Sequence, residues 1–417
     1  MNRLFIDDMP DSFYKDKKVL VRVDYNVPAI RGQIKEDYRI RQTIPTIEYL
    51  SERGAKTILI SHLGRPGGTP DKKLSLKPIA ERLVEILKVR NVKFVDQCIG
   101  NHVNYLADHL HKGEVLLLEN LRFLNDEEDN DPEFCRLFSD IADIYVNDAF
   151  STSHRTHAST YGIPMLFEHK LGGFVLKNEL YNLDKIKENP KRPFLAIVGG
   201  SKGKEKIGAI SSLVKYADTI LIGGCVANTF LAARGISVGD SNIANKSIEQ
   251  AKTILRDYAD KIILPDDFLV EDCDRREILK NVHYEIPLGQ KVVDIGRDTT
   301  YYYSHQILNN NGTIFWSGPM GQFEVDEYAH GTNEIAKSVS YAHWRGAYTV
   351  VGGGDTIAAI RKADVLLNEI DFVSTGGSAT LKYLAGINLP GISVLSEQLS
   401  DKNNVIKLNY GGDTLCL

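Results

Sequence analysis

In the first half of this sequence, charged side chains gather just past short apolar runs. Asp24 and Asn26 follow "KVLVRV" (18–23), with Arg39 and Arg41 further on. His62 and Arg65 follow "TILIS" (57–61), Arg122 follows "EVLLL" (114–118), and His154, Arg155 and His157 follow "DIYV" (143–146). Guanidinium groups suit planar, bidentate contacts to carboxylate and phosphate. One such arginine is ordinarily a surface salt bridge. Four at successive run ends (Arg39, Arg65, Arg122, Arg155) point to one small, highly anionic ligand. In the second half glycine takes these places: "VGGSKGKEK" (198–206) with Gly200, "IGGC" (222–225) with Gly224, "WSGPMGQFE" (316–324), "VGGGDT" (351–356) and "STGG" (374–377). Glycine lets backbone N–H groups approach phosphate oxygens. Lys202 and Lys206, four apart, would share a face on a helix and reach a phosphate tail. Glu324 is a candidate acceptor for ribose hydroxyls. Asp355 sets a carboxylate inside a glycine loop, where an anion would sit. GxxxxGK[ST] is absent, and no GxGxxG follows a strand-like run, so the chain lacks the signatures of Walker-type and dinucleotide sites.

These residues need elements to position them. Helix-like segments such as "LKPIAERLVEILK" (76–88) separate most apolar runs of the first half. The second half continues the alternation with runs at 194–198, 219–222, 261–264, 292–295, 313–316, 348–351 and 372–374. Strands alternating with helices imply α/β domains with parallel sheets, and such sheets bind ligands beyond the carboxyl ends of their strands. Between the halves lies "GGFVLKNELYNLDKIKENPKRP" (172–193), one amphipathic helix opened by glycines and closed by Asn189 and Pro190. The expected organisation is an N-terminal domain (1–171), a hinge helix (172–190) and a C-terminal domain (191–391). A last segment and tail (392–417) would pack on the first domain or lie loose.

Bulk properties narrow the function. A chain of 417 residues exceeds one ordinary core, which favours two domains. Hydrophobic residues at 43% and charged residues at 25% are ordinary for a globular protein. A formal charge of -5 argues against a general nucleic-acid binder. No apolar run is long enough to span a membrane, and "MNRLFIDDMPD" carries acids where a signal peptide has its apolar stretch, so a cytoplasmic protein is expected. The cysteines at 98, 135, 225, 273 and 416 form no CxxC, which suggests neither a disulfide framework nor a zinc site.

From about residue 15 to about residue 396 the chain resembles the phosphoglycerate kinase family, through "VRVDYNVP", "RIR" (39–41), "SHLGRP", "SLKPIAERL", "LLLENLRF", "ADIYVNDAF", "SHRTHAS", "VGGSK", "WSGPMGQFE", "VGGGDT" and "STGG". The resemblance implies two Rossmann-like domains around a cleft, the first binding 3-phosphoglycerate or 1,3-bisphosphoglycerate and the second magnesium ADP or ATP. The family's triose-phosphate residues fall on Asp24, Asn26, Arg39, His62, Arg65, Arg122 and Arg155. Its nucleotide residues fall on Lys202, Lys206, Glu324, Gly353, Gly354, Asp355 and Thr356. A monomer acting on small molecules, with no nucleic-acid or membrane partner, is the expectation.

Both nucleophiles of such a reaction, a carboxylate and a phosphate oxygen, are already ionised near neutral pH, so no general base is required. Positioning and charge stabilisation remain. Arg39, Lys206 and the N–H groups of Thr375, Gly376 and Gly377 are the expected sources of positive potential, and Asp355 would face the magnesium that the phosphates carry. The chain departs from the family pattern at Cys225, Ser317, Ser378, Thr380 and Arg297, and carries a second "GGDT" (411–414) in the tail. The alternatives are a non-catalytic two-domain binder of a phosphorylated metabolite or nucleotide, and a nicotinamide-dependent dehydrogenase.

Overall fold

The structure, a computed structural model, describes residues 3–30, 33–34, 36–87, 91–274, 277–283 and 285–397. The tail past Glu397, with its "GGDT", lies outside the described residues. The chain forms two compact units, one holding it up to Leu180 and again from Leu389, the other running Tyr181–Asn388.

In the first unit, strands β1 (Lys18–Val23), β2 (Lys56–Ile60), β3 (Val92–Phe94), β4 (Val115–Leu117), β5 (Ile144–Asp148) and β6 (His169–Gly172) form a parallel sheet in the order β3-β4-β2-β1-β5-β6. Apolar runs make these strands because both faces are covered: β4 and β5 are buried throughout, β1 at all but its first residue. The chain leaves β1 toward one side of the sheet and returns on its other side at β5, and such a reversal opens a crevice at the carboxyl edge. β6 ("HKLG") and the hairpin Ala29–Ile30/Gln33–Ile34 have no apolar run to announce them.

The second unit repeats the plan. β7 (Phe194–Val198), β8 (Thr219–Ile222), β9 (Ile262–Ile263), β10 (Thr313–Ser317), β11 (Tyr348–Gly352) and β12 (Phe372–Ser374) pair in parallel in the order β9-β8-β7-β10-β11-β12. The run at 292–295, expected among these, lies in a separate antiparallel sheet of Ile278–His283, Asp267–Asp272 and Gln290–Ile295. The five residues between Asp267–Asp272 and Ile278–His283 are too few for the crossover that parallel pairing needs.

The helix between the halves is Phe174–Glu188. It buries Leu176, Leu180, Leu183 and Ile186 at helical spacing, and the division between the units falls inside it. Its first turn is held by Thr46 Oγ1 and Asp148 Oδ1, which accept the N–H groups of Phe174 (3.0 Å) and Val175 (2.8 Å). The chain rejoins the first unit at Leu389, earlier than the 392 read from sequence. There Asn147 donates to the Gly391 carbonyl (2.8 Å) and the Ser396 N–H to the Lys170 carbonyl (2.8 Å).

Candidate active site

At the carboxyl edge of the first sheet, the residues after β1, β2, β4 and β5 converge. Buried Asp24 accepts Arg39 and the Ser151 hydroxyl on Oδ2, and the Asn26 N–H on Oδ1 at 3.0 Å. Burial opposes the Asp24 charge, but Arg39 and the Ser151 hydrogen bond outweigh it and hold the carboxyl far below the usual range. Asn26, exposed, accepts the Gly64 N–H at 3.0 Å, tying the loop after β1 to the loop after β2. Asn120 ties the β2 and β4 loops: its amide donates to the Leu63 and Leu74 carbonyls (2.7 and 2.9 Å) and accepts the Leu63 and Arg122 N–H groups. Arg122, 4% exposed, donates to the Gly64 carbonyl (2.7 Å) and pairs with Glu128 (3.1 Å), while its buried Nε has no partner. Burial, then the nearby Arg155 charge, lower its pKa to about 10. Burial, then Arg22 and Arg65, also lower that of half-buried Arg155. Arg65 is exposed.

Arg22 is the residue that the sequence reading passed over. It sits within β1 at 2% exposure, donates through Nε to Ser159 Oγ (2.8 Å), and approaches His62 Nδ1 at 3.1 Å. The Ser159 hydroxyl in turn donates to buried Glu127 (2.6 Å). A basic residue inside an otherwise apolar strand was the available signal. A guanidinium only donates, so His62 Nδ1 accepts and the ring is neutral. Burial, then Arg22, push the His62 pKa well down, and burial with Arg155 takes His157 to about 4. The imidazoles therefore add hydrogen-bonding capacity here and no charge near neutral pH. Arg41, two residues from Arg39 and on another side of its helix, bonds Asp37 at 3.0 Å and stands apart from the basket. Five guanidiniums (Arg22, Arg39, Arg65, Arg122, Arg155) thus face three carboxylates (Asp24, Glu127, Glu128), leaving a surplus suited to a multiply charged anion.

The second unit has an open cleft of about 400 Å³ at its own carboxyl edge, lined among others by Gly200, Gly224, Cys225, Met320, Glu324 and Asp355. Trp316, fully buried in β10, donates Nε1–H to the Gly318 carbonyl (2.8 Å) and so shapes the "SGPMG" loop. Lys206 lies beneath this loop, with Nζ donating to the Ser317 carbonyl at 2.7 Å. Gly318 has φ 93°, and a Cβ there would strike the Gly199 carbonyl as well as that amine, so the position requires glycine. Burial, opposed by the Asp355 charge, brings the Lys206 pKa down to about 7. Lys202 is exposed and precedes the helix Gly203–Leu213 as its N-cap, so the two lysines do not form the helical pair expected from their spacing. Gly353, at φ 103°, turns the chain out of β11 into the helix Gly354–Lys362. Asp355 is exposed in that helix's first turn, whereas Thr356 is buried, donating to the Gly352 carbonyl (2.8 Å) and accepting the Gly318 N–H (2.7 Å). Thr356 therefore joins two glycine loops. Glu324 is exposed at the cleft. Gly376 and Gly377 follow neighbouring β12 outside the lining residues, and the Gly376 N–H is already engaged by Ser374 Oγ at 3.2 Å.

A family model described as phosphoglycerate kinase matches residues 6–387, spanning both sheets and both loop sets. The chain belongs to the phosphoglycerate kinase family. The phosphoglycerate kinase of Koribacter versatilis is 43% identical over 412 residues, covering 95% of this chain and 100% of the relative. The cytosolic phosphoglycerate kinase of Triticum aestivum is 44% identical, with 92% and 96% covered. The solved phosphoglycerate kinase structure from Pyrococcus horikoshii superposes with a TM-score of 0.81 at 30% identity, covering 94% of this chain and 98% of that one. That from Coxiella burnetii gives 0.78 at 33%, with the same coverage. The chain is accordingly a kinase, and the readings as a non-catalytic binder or a dehydrogenase are set aside. Against the phosphoglycerate kinase pattern, its departures have local partners. Ser317 Oγ lies 3.5 Å from Lys206 Nζ, Ser378 donates to Glu205 (2.6 Å), and Thr380 meets Ser374 Oγ (2.6 Å). Cys225 is a half-buried thiol on the cleft wall. Arg297 is exposed at a helix start, and nothing in the structure explains it. Among the described residues no helix is long and apolar enough to cross a membrane.

Proposed function

We propose that this kinase moves a phosphoryl group reversibly between the acyl phosphate of 1,3-bisphosphoglycerate and the β-phosphate of ADP, giving 3-phosphoglycerate and ATP, with the triose held by the first unit's basket and the nucleotide by the second unit's cleft. The observation that carries the assignment is the cluster of guanidiniums around Asp24, one of them Arg39. Arg65, Arg122 and Arg155, with Asn26 and neutral His62, bind the triose anion. Arg39 stabilises charge on the transferring group. Its ion pair with Asp24 orients the guanidinium before substrate arrives. Lys206 meets the phosphoryl group from the nucleotide side, with the N–H group of Gly377, and that of Gly376 once it leaves Ser374 Oγ, as further donors. Gly200, Gly224, Gly353 and Gly354 bring backbone to the phosphates, with Lys202 beside them, and Glu324 receives the ribose.

Magnesium fits the cleft's chemistry. Asp355 offers a hard oxygen donor in the first turn of a helix, and among the described residues no three His, Cys, Asp or Glu side chains converge to form a protein cage. A magnesium ion usually takes one or two carboxylates and completes its shell with phosphate oxygens and water. Asp355 would hold it, and when bound it neutralises phosphate charge. No side chain removes a proton, because both nucleophiles are anions. Approach of the two bound ligands requires the units to close, which also excludes the water that hydrolyses acyl phosphates. We further infer a cytoplasmic monomer with small-molecule partners; the wheat relative named cytosolic supports that location. The test is Arg39→Ala. Loss of one preorganised donor costs about 3–4 kcal/mol, roughly 10²–10³ in rate, so kcat should fall at least that far with the melting transition retained. A folded variant with near-parental kcat would overturn the assignment.

A further inference from the structure

The helix Ser378–Leu384, which follows Gly376 and Gly377, is held in place largely by side chains. Ser378 bonds Glu205, Thr380 bonds Ser374, and the carbonyl of Ala385, just past the helix, accepts Ser212 Oγ at 3.2 Å. Tyr383, 3% exposed, makes the fourth tether by donating its hydroxyl to Asp184. Burial and the Asp184 charge raise the phenol's pKa, so it remains a donor. Lys187 stands 5.2 Å above the ring. The acceptor of this tether, like that of Ser378, is a carboxylate, which strengthens the bond. Unlike the other three, this tether ends on the helix Phe174–Glu188, whose residues belong to both compact units. Tyr348 reaches the same helix, donating to Asn182 Oδ1 at 2.7 Å, but its strand β11 is already fixed by β10 and β12 on either side.

We propose that Tyr383 is a positioning residue for phosphoryl transfer: its bond to Asp184 ties the segment carrying Gly376 and Gly377 to the helix Phe174–Glu188 and so sets where those backbone donors stand. The inference rests on the reading of Gly376 and Gly377 as donors to the transferring group. A seven-residue helix is about 10 Å long and stiff over that length, so a shift at Tyr383 is passed to Gly377. A misplacement of about 1 Å can lower a rate by roughly 10²-fold while ground-state binding is kept.

Steady-state kinetics on the full chain test this. Tyr383→Phe should lower kcat about tenfold and leave both KM values within about twofold, the pattern of an interaction realised in the transition state. Asp184→Asn keeps an acceptor and should retain parental kcat. Asp184→Ala should match Tyr383→Phe, and the double variant should be no worse than either single one. Tyr348→Phe, which removes a hydroxyl from the same helix, is the control and should leave kcat unchanged. Equal kcat for Tyr383→Phe and Tyr348→Phe would overturn the proposal. If Tyr383→Phe does not fold, the comparison of Asp184→Asn with Asp184→Ala decides, and equal kcat for those two overturns it. Replacing the Gly377 amide by an ester, which removes the N–H and keeps the rest of the chain, separates the underlying reading. If it leaves kcat intact, the donor reading fails and the inference with it. If it lowers kcat while Tyr383→Phe does not, only the inference fails.

Discussion

The single carboxylate in the "VGGGDT" loop carries the sharpest chemical expectation. On the proposed reading Asp355 repels bare phosphate and favours phosphate that brings its metal, so Asp355→Ala should weaken magnesium-ADP binding about tenfold or more and metal-free ADP little. Titration calorimetry with and without magnesium checks this, and equal losses would refute the metal role. Much of the site was legible at this scale because arginine and glycine were read where strands end. Arg22 and Ser151 escaped, since one is hidden inside β1 and the other lies in a loop of small polar residues. The neutrality of His62 and His157 was also out of reach, because it follows from burial among cations rather than from residue type.

At the scale of elements, helices are anchored by buried carboxylates. Asp294 accepts the Gly331 N–H (2.7 Å) at the start of the helix His330–Trp344 and the Ile295 N–H (3.0 Å). Burial raises its pKa to about 8, so near neutral pH the folded state holds a proton that the unfolded chain, with the ordinary 3.8, releases. The stability from that proton is fully present below pH 3.8 and is lost as pH rises through about 8. Asp294→Asn removes the ionisation, so its melting temperature relative to the parent should rise from about pH 4 to about pH 8 and level off above, as scanning calorimetry would show. A constant difference would contradict the assignment. Most strands were readable because burial on both faces leaves continuous apolar runs. The strand Asp267–Asp272 ("DFLVED") was not, for half of its residues are only partly buried and acids bracket its apolar core. Which sheet the 292–295 run joins depends on its neighbours' pairing, which the run itself does not encode.

For the whole molecule, the proposed assignment puts the two ligands on different units, and the transfer requires them to meet. Small-angle scattering should therefore give a smaller radius of gyration with 3-phosphoglycerate and magnesium-ATP together than with either alone, and an unchanged value would count against closure. The two-unit organisation followed from length and alternation. The return of the chain to the first unit at Leu389 did not, because it rests on distant partners such as Asn147 and Lys170. The measurement closest to the central claim is acyl-phosphate formation by the purified chain. With ATP, magnesium and 3-phosphoglycerate, and hydroxylamine as trap, hydroxamate should appear in step with ADP and vanish when any of the three is omitted. ADP released without 3-phosphoglycerate, or without matching hydroxamate, would contradict the account.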